Sequence, residues 1–312
     1  MTLRIIEGGA HRVPRKKVIA GSGLVDYVWL DPEGHFRVKK RTIPVVFGGA
    51  PGDASNLIPI IERWTTTVDD ERIVLSCCHY LPDPLRPQPS YIALCEVRDE
   101  NNVDHPTNTR AKLRAEVDNL GGALDIEGNA ILDRLGTWWG YKESFNFPVE
   151  ANREVPERFL GACLDAGLMI HSATFSTDYF EYRVGHRNFP KELDPDPPTA
   201  LMVADHLVLA RYLLEKVSED LGAKTHYNRC WAYLSTEESR NRGRTSDLVD
   251  SLFPGLNTQP GADITYHVTP ALDATTGAKD FIKIDGLEAC QDPYLFAAMV
   301  LAVLGSPKEE QE

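Results

Sequence analysis

Two histidines and one cysteine in this sequence have side chains that could take part in acid–base or nucleophilic chemistry. His186 and His267 are candidates for acid–base catalysis, because histidine titrates near neutral pH. Cys230 directly follows Arg229, and a neighbouring guanidinium lowers the pKa of a thiol, so Cys230 is a candidate nucleophile. Each also has an ordinary structural alternative, as a hydrogen-bonded histidine or a buried inert thiol. The sequence contains no G-x-S-x-G, H-E-x-x-H, P-loop or Rossmann signature that would decide between these roles.

Composition and charge exclude several classes of protein. The 312 residues are 42% hydrophobic and 25% charged, which is typical of a globular protein and excludes collagen, disorder and coiled coil. The formal net charge of −13 argues against nucleic-acid or anionic-membrane partners, which need a basic surface. The six cysteines show no C-x-x-C spacing, and no apolar run approaches the length of a membrane span. We therefore expect a cytoplasmic protein from a reducing compartment.

The N-terminal third has the pattern of a small antiparallel sheet. Residues 1–20 are polar and interrupted by glycine and proline, and we interpret them as an arm. Alternating apolar residues on both sides of Pro32–Gly34 predict a β-hairpin, and residues 72–79 and 90–97 predict two further strands. The prolines between these two strands predict an irregular loop. We assign residues 21–108 to this first domain.

Helices dominate the rest of the chain. The predicted helices cover residues 109–119, 156–166, 199–222 and 292–304. Gly167 and Gly222 stand where two of them should end, and Asp292 is placed to cap the last one. The last helix is apolar on nearly all sides, so we expect it to be buried. We assign residues 109–305 to a second domain and residues 306–312 to a solvated tail.

Several blocks, in a fixed order, carry a family resemblance: YVWLDPEGHFRVKKRT, LPDPLRPQPSYIALCEV with HPTNTRAK, ERFLGACLDAGLMI, DYFEYRVGH, ADHLVLARYLLEKVSEDLG and CQDPYLFAAMVLAVL. Taken together, they resemble glutamine synthetase, most closely its eukaryotic-type (type II) branch. The resemblance implies an α+β fold with a small N-terminal β-grasp domain and a larger C-terminal α/β catalytic-type domain. It also implies ring-shaped homo-oligomers, in which one subunit's small domain completes the next subunit's site.

The chemistry of that family needs divalent metals, and the metal motifs are altered here. The family's W-F-G-x-E-Q-E falls on residues 138–144, so its two glutamate ligands become Lys142 and Ser144. Strand alternation would point the intervening Glu143 to the opposite face. The family's A-E-V-M-P-x-Q-W-E-F falls on residues 173–182, where one ligand becomes Thr174 and the other remains as Glu181. The resemblance therefore implies a cation where the family holds its metal.

The substrate and phosphate motifs are altered as well. The histidine and the substrate-binding glycine of the third motif become Trp231 and Arg229. One family arginine becomes His267, and the glutamate of F-E-D-R-R-P becomes Lys283 with both arginines lost. The family's flap before that motif and its nucleotide-site segment are absent. We therefore expect no ATP, magnesium or manganese cofactor and no glutamine synthesis.

Three hypotheses follow for the function. In the first, the cleft binds or transforms a small amino-acid or carboxylate metabolite, with Lys142, Glu181, His267 and Lys283 as catalytic candidates. Ser144, Thr174, Arg229 and Trp231 are then the substrate-binding candidates. In the second, the protein is a non-catalytic pseudoenzyme that acts through a homo-oligomer or a partner protein. In the third, it is a divergent ligase joining an amine to a carboxylate.

These hypotheses predict different sites. Repurposed catalysis requires an open pocket with converging candidates, and a ligase requires at least two carboxylates that face one cavity. A scaffold requires that the four catalytic candidates pair with one another and that Trp231 fills the cleft. A separate structural alternative is an ion-pair network of Lys142, Glu143, Glu181 and Lys283, in which the lysines only compensate leftover carboxylates.

Overall fold

Two six-stranded sheets enclose a layer of helices in the computed structural model. The residues it describes are 19–31, 33–47, 57–68, 70–122, 138–146, 153–176, 179–185, 199–224, 226–235, 268–271, 281–285 and 292–305. The predicted arm lies almost entirely outside these residues, as does the predicted tail.

The first sheet begins with the predicted hairpin. Strands β1 (Ile19–Leu30) and β2 (Phe36–Phe47) pair antiparallel. The turn between them is held by Asp31, whose Oδ1 accepts hydrogen bonds from the backbone N–H groups of Glu33 and His35. Asp31 Oδ2 accepts a further hydrogen bond from Arg37 at 3.0 Å. The aspartate thus provides the local hydrogen bonds that close the hairpin.

The remaining strands of this sheet are β3 (Leu57–Pro59), β4 (Trp64–Val68), β5 (Glu71–Pro82) and β6 (Ser90–Arg98). The strand order is β3-β2-β1-β6-β5-β4, and only the central pair of β1 with β6 is parallel. The predicted sheet, mostly antiparallel, is therefore confirmed.

Residues 60–63 connect the two outermost strands of this sheet, so the chain crosses one of its faces. Trp64 then packs edge-on against Tyr27 of β1, with 5.2 Å between the ring centroids. Tyr27 donates a hydrogen bond to the carbonyl oxygen of Glu62 at 2.9 Å. This crossing covers a separate apolar cluster centred on Tyr27, Leu75 and Tyr91.

The second sheet contains β7 (Trp138–Asn146), β8 (Ile170–Phe175), β9 (Tyr179–Gly185), β10 (His226–Ser235), β11 (Val268–Ala271) and β12 (Phe281–Asp285). Its order is β11-β12-β10-β7-β9-β8, and every pair is antiparallel.

The described helices are α1 (Thr109–Gly122), α2 (Glu154–Asp165), α3 (Ala200–Asp220) and α4 (Pro293–Gly305). All four match predicted helices within a few residues. Gly167 and Gly222 take positive φ angles after α2 and α3, as a glycine stop requires. Asp292 Oδ1 accepts from the N–H groups of Tyr294 and Leu295, which confirms the predicted cap. None of the described helices is long and apolar enough to cross a membrane.

Helix α3 lies between the two sheets and is buried on both sides. The main hydrophobic core joins its residues, among them Leu207 and Leu213, to Ile92 of the first sheet and Phe180 of the second. Helix α4 is buried in the same core, as predicted. One apolar core therefore spans the predicted boundary at residue 108, and the division into two domains remains a prediction.

Buried ion pairs fix α3 against its neighbours. Arg110 of α1 binds both carboxylate oxygens of Asp205 at 2.8 Å and also Glu96 of β6 at 2.6 Å. Tyr294 of α4 donates to Asp205 at 2.8 Å. Four elements thus meet at one Arg–Asp pair, a planar geometry in which both bonds are charge-assisted.

Candidate functional site

The candidate site lies on the face of the second sheet that points away from the helices. Along β7, Tyr141, Glu143 and Phe145 face the helical layer and are buried. Successive side chains of a strand point to opposite faces, so Lys142 and Ser144 lie on the outer face. Lys142 and Ser144 are both predicted site residues, so this outer face carries the candidate site.

The central feature of this face is an ion pair between Lys142 and Glu181. The Lys142 Nζ lies 2.6 Å from Glu181 Oε2, and the two side chains are only 19% and 16% exposed. In the register of β7 and β9, Lys142 stands opposite Arg183 and Ser144 stands opposite Glu181. The pair is therefore diagonal across the two strands, a separation that long side chains can span.

Glu143 takes no part in this site. Its Oε1 accepts a hydrogen bond from Arg211 Nε of α3 at 2.7 Å, and its Oε2 accepts one from the Tyr182 hydroxyl. Burial raises the pKa of Tyr182 well above its usual value, and the Glu143 carboxylate raises it further. The prediction that Glu143 faces away from Lys142 is confirmed. The alternative in which Glu143 also pairs with the outer lysines is wrong, because Arg211 and Tyr182 hold this carboxylate on the other face.

A cavity of about 250 Å³ opens beside the ion pair. Lys142, Thr174 and Glu181, three of the predicted site residues, line it. Thr174 is exposed at its wall, whereas Ser144 is 3% exposed and lies beneath the surface, outside the described lining. The volume is suited to a small metabolite and falls below that of pockets for drug-sized ligands.

The strand register extends the same face toward β10 and β12. Four predicted residues are consecutive cross-strand partners in the backbone register of the sheet. From β10 to β8 they are Arg229, Ser144, Glu181 and Thr174. Trp231 pairs with Lys142 in a neighbouring row.

Lys283 pairs with Tyr233, which pairs with Gly140, two residues from Lys142. The backbone position of Lys283 is therefore two strands from that of Lys142, about 10 Å across the sheet. His267 and His186 lie outside the described residues, as do the side chains of Arg229, Cys230, Trp231 and Lys283.

The structure adds three lining residues that sequence reasoning missed: His171, Ser172 and Arg183. Arg183 and Ser172 could have been found, since each is two residues from a predicted site residue and so shares its face of a strand. His171 could not, because its placement depends on an irregularity in the pairing of β8 with β9.

The described lining does not match the metal cage that the resemblance implies. Hard divalent cations are held by several carboxylate or carbonyl oxygens. This lining offers one carboxylate, Glu181, with a lysine ammonium 2.6 Å from it. Elsewhere among the described residues, Asp31, Glu33 and His35 at the first hairpin form the one cluster of potential ligand groups. Hydrogen bonds of the turn already occupy Asp31 there, and Glu33 and His35 are exposed.

Comparison with known proteins bears on the fold. No protein-family model matches the chain. It is 28% identical to a glutamine synthetase from Streptomyces hygroscopicus, over 82% of this chain and 80% of that one. It is 25% identical to a chloroplastic glutamine synthetase from Chlamydomonas reinhardtii, over 50% of this chain and 43% of that one. Against the glutamine synthetase of Neurospora crassa the identity is 25%, over 67% and 60% of the two chains. With these last two, the chain spans less than two thirds of the relative's length.

A solved structure described as a novel glutamine synthase homolog superposes with a TM-score of 0.56 at 14% identity. The superposition covers 94% of this chain and 83% of the other. The chain is thus similar to glutamine synthetases in sequence and has a glutamine-synthetase-like α+β fold, as expected.

Proposed function

We propose that this glutamine-synthetase-like protein binds or transforms a small amino-acid or other carboxylate metabolite in the cavity beside Lys142 and Glu181, without ATP or a divalent metal. The observation that carries the proposal is the 2.6 Å contact of Lys142 with Glu181 at the wall of a cavity of about 250 Å³. A fixed ammonium there supplies positive charge at a position where the family pattern has a metal-binding glutamate. An ammonium group has three N–H donors, so a lysine paired with Glu181 can also donate a hydrogen bond to a ligand oxygen without a metal ion.

The hydrogen-bond donors that line the cavity support the binding of an anionic ligand. The lining contributes two permanent cations, Lys142 and Arg183, and the hydroxyl groups of Ser172 and Thr174, all of which can donate hydrogen bonds to oxygen. Arg229 and Lys283 remain candidate ligand contacts in this proposal, since their backbone positions lie in the strands next to β7 and beyond it. A biosynthetic role in the cytoplasm, in a homo-oligomer, completes the proposal.

A pseudoenzyme is the second candidate, and one observation favours it. Lys142 and Glu181 already neutralise each other, which is the arrangement expected if the lysine merely compensates a leftover carboxylate. The cavity that stays open beside the pair favours ligand binding instead. The ligase hypothesis has less support, since the described lining contains a single carboxylate where two are needed.

Calorimetric titration of the full chain tests the proposal. We expect no heat of binding with ATP, either alone or with Mg²⁺ or Mn²⁺, and binding of at least one member of a panel of small carboxylates. Lys142→Met should abolish that binding, whereas Lys112→Met, which removes an exposed lysine on α1, should leave it unchanged. Metal-dependent binding of ATP would contradict the proposal and support a ligase. Failure of the whole panel, together with a stable oligomer in light scattering, would support the pseudoenzyme.

A further inference from the structure

We infer that two copies of this chain pair through the free edge of β8 and form one continuous twelve-stranded sheet. This inference rests on the homo-oligomer of the proposed function and names its interface. Strand β8 is the last strand of the second sheet, next to β9. One of its two edges therefore has no neighbouring strand among the described residues.

The hydrogen bonds of the β8–β9 hairpin show which residues face the free edge. The N–H of Ser176, which directly follows β8, donates to the carbonyl oxygen of Tyr179 at 2.9 Å, so the backbone of Ser176 points toward β9. Backbone groups alternate in direction along an antiparallel strand. Ala173 and Phe175 therefore point their N–H and C=O groups away from β9, where the described hydrogen bonds supply no partner. These two residues offer four hydrogen-bonding groups to an added strand.

The side chains along β8 are complementary to a second copy of the same strand. Ser172, Thr174 and Ser176 are exposed, whereas Ala173 and Phe175 pack against the main core on the other face. An antiparallel pair centred on Thr174 places it opposite its own copy and Ser172 opposite the partner's Ser176. Hydroxyl groups then meet hydroxyl groups, which can hydrogen-bond across the strands.

The same register satisfies the free backbone groups. Ala173 lies opposite the partner's Phe175, and Phe175 lies opposite the partner's Ala173, so a small side chain meets a large one on the inner face. Both positions are hydrogen-bonded pairs, and all four free groups of each chain find a partner. The two copies contribute identical surfaces, as a two-fold interface requires. A second copy is therefore the occupant that the spacing of β8 fits.

The other edge strands each carry a feature that hinders such pairing. Strand β3 ends at Pro59 and β11 contains Pro270, and proline has no N–H to donate. On β4, the carbonyl oxygen of Thr67 accepts a hydrogen bond from Lys39 Nζ at 3.3 Å. The sequence of β8, IHSATF, contains no proline and no lysine, arginine, aspartate or glutamate. Its bulge precedes residues 172–176 and leaves them regularly paired with β9.

The pairing bears on the candidate site. Ser172 and Thr174 belong to the lining of the cavity. In the two-fold pair, the partner's Ser176 and the partner's Thr174 lie directly opposite them. Both copies therefore contribute hydroxyl groups to the border of each cavity.

Sedimentation velocity of the full-length protein tests the inference. We expect a monomer–dimer equilibrium that shifts toward the dimer as the concentration rises. Thr174→Lys should raise the dissociation constant at least about tenfold, because it places two like charges directly opposite each other. Thr65→Lys is the matched control, since Thr65 is an exposed threonine of the edge strand β4, and it should leave the equilibrium unchanged. Unfolding midpoints show whether each variant is folded.

Disulfide cross-linking tests the register. Residues directly opposite each other at a non-hydrogen-bonded position have Cα atoms about 4.5 Å apart, within the range of a disulfide. After mild oxidation, Thr174→Cys should therefore form a covalent dimer. Ser172→Cys should not, because its own copy lies four residues away along the strand, about 14 Å. A mixture of Ser172→Cys and Ser176→Cys chains should link one to the other, and wild type and Thr65→Cys give the background from the native cysteines.

The outcomes separate this inference from the proposed function. A wild type that stays monomeric, or equal cross-linking of Ser172→Cys and Thr174→Cys, would overturn the inference. A larger assembly that Thr174→Lys leaves intact would also overturn it and would indicate an interface elsewhere on the chain. These measurements need no ligand. Carboxylate binding by a chain without the β8 dimer would leave only the interface refuted, whereas a β8 dimer that binds no carboxylate would refute the ligand and leave the interface standing.

Discussion

Lys142 and Glu143 are consecutive residues of β7. The ammonium group of Lys142 lies on one face of the sheet, and the carboxylate of Glu143 lies on the other. Lys142 binds Glu181 beside the outer cavity, while Glu143 is fully buried against Arg211 of α3 and the hydroxyl of Tyr182. Strand β7 therefore carries the wall of the candidate site on one side and an anchor to the helical layer on the other. Because the two roles are separated by the strand, they can be tested separately.

Glu143→Gln should destabilise the protein strongly. The change leaves the Arg211 guanidinium without its carboxylate in the interior, and breaking a buried ion pair from one side costs about 3–5 kcal/mol. The free energy of unfolding in urea measures the loss. Glu100→Gln is the control, because it removes one partner of an exposed pair with Arg72 and should cost less than about 1 kcal/mol. Equal losses in the two variants would show that the buried anchor contributes no more than the surface pair.

Gly23→Ala should destabilise the first sheet, and Gly21→Ala on the same strand should not. A Cβ at position 23 would lie 2.8 Å from Val45 Cγ2 and 3.0 Å from the carbonyl oxygen of Pro89, whereas one at position 21 meets nothing within 4 Å. Overpacking of this kind costs about 1–3 kcal/mol. The difference between the two urea midpoints isolates the steric effect, and indistinguishable midpoints would contradict the close approach of β2 and the 89–90 backbone to β1.

Stability should fall in acid through Glu96. Burial raises the pKa of Glu96, but hydrogen bonds from Arg114, Arg98 and Arg110 outweigh it and hold the pKa below its usual value. A carboxyl group with a lowered pKa in the folded state stabilises that state above its unfolded pKa of about 4.3, and the contribution is lost as the pH falls through the folded pKa. The stability difference between wild type and Glu96→Gln should thus be constant near neutrality and shrink below about pH 4.3. A difference that widens in acid would reverse the sign and refute this account.

The four described cysteines should resist alkylation while the protein is folded. Burial raises the pKa of Cys77 to about 11, and it also raises the pKa values of Cys78, Cys95 and Cys163. At pH 7.5 a thiol with that pKa is ionised in about one molecule in three thousand, and the thiolate is the reactive form. Peptide-resolved mass spectrometry after iodoacetamide should show labelling at least about a hundredfold slower than in urea. Labelling of Cys77 at the unfolded rate would contradict its burial.

Local pattern predicted half of the described elements, namely four strands of the first sheet and the four described helices, whereas the strands of the second sheet were not predicted from it. The first hairpin and the ends of two helices, at Gly167 and Gly222, could be predicted from the sequence. Each depends on the conformation of only a few consecutive residues. The crossing at residues 60–63 and the order of the second sheet were not predicted. They depend on pairings between distant segments, for which local periodicity holds no signal.

The family resemblance was the basis for predicting the site residues, but the sequence blocks that carry it contain mainly residues with structural roles. Asp83, Arg86, Glu96, Arg110 and Asp205 all belong to the quoted blocks, and all of them lie in buried ion pairs around α3 and the first sheet. The chain therefore resembles the family most where charges hold the elements together. At the cavity, where the chemistry would differ, the placement of His171 had to come from the structure.

The position of β6 has a consequence for how the chain is made. It is the last strand of the first sheet in sequence and yet joins the two halves of that sheet, with β1 on one side and β5 on the other. On the ribosome, the strands before residue 90 can form only separate ribbons, each with an open edge where β6 will insert. Open edges invite pairing with other chains. Between the synthesis of β5 and the emergence of β6, the nascent chain therefore exposes two strand edges that β6 covers in the folded sheet.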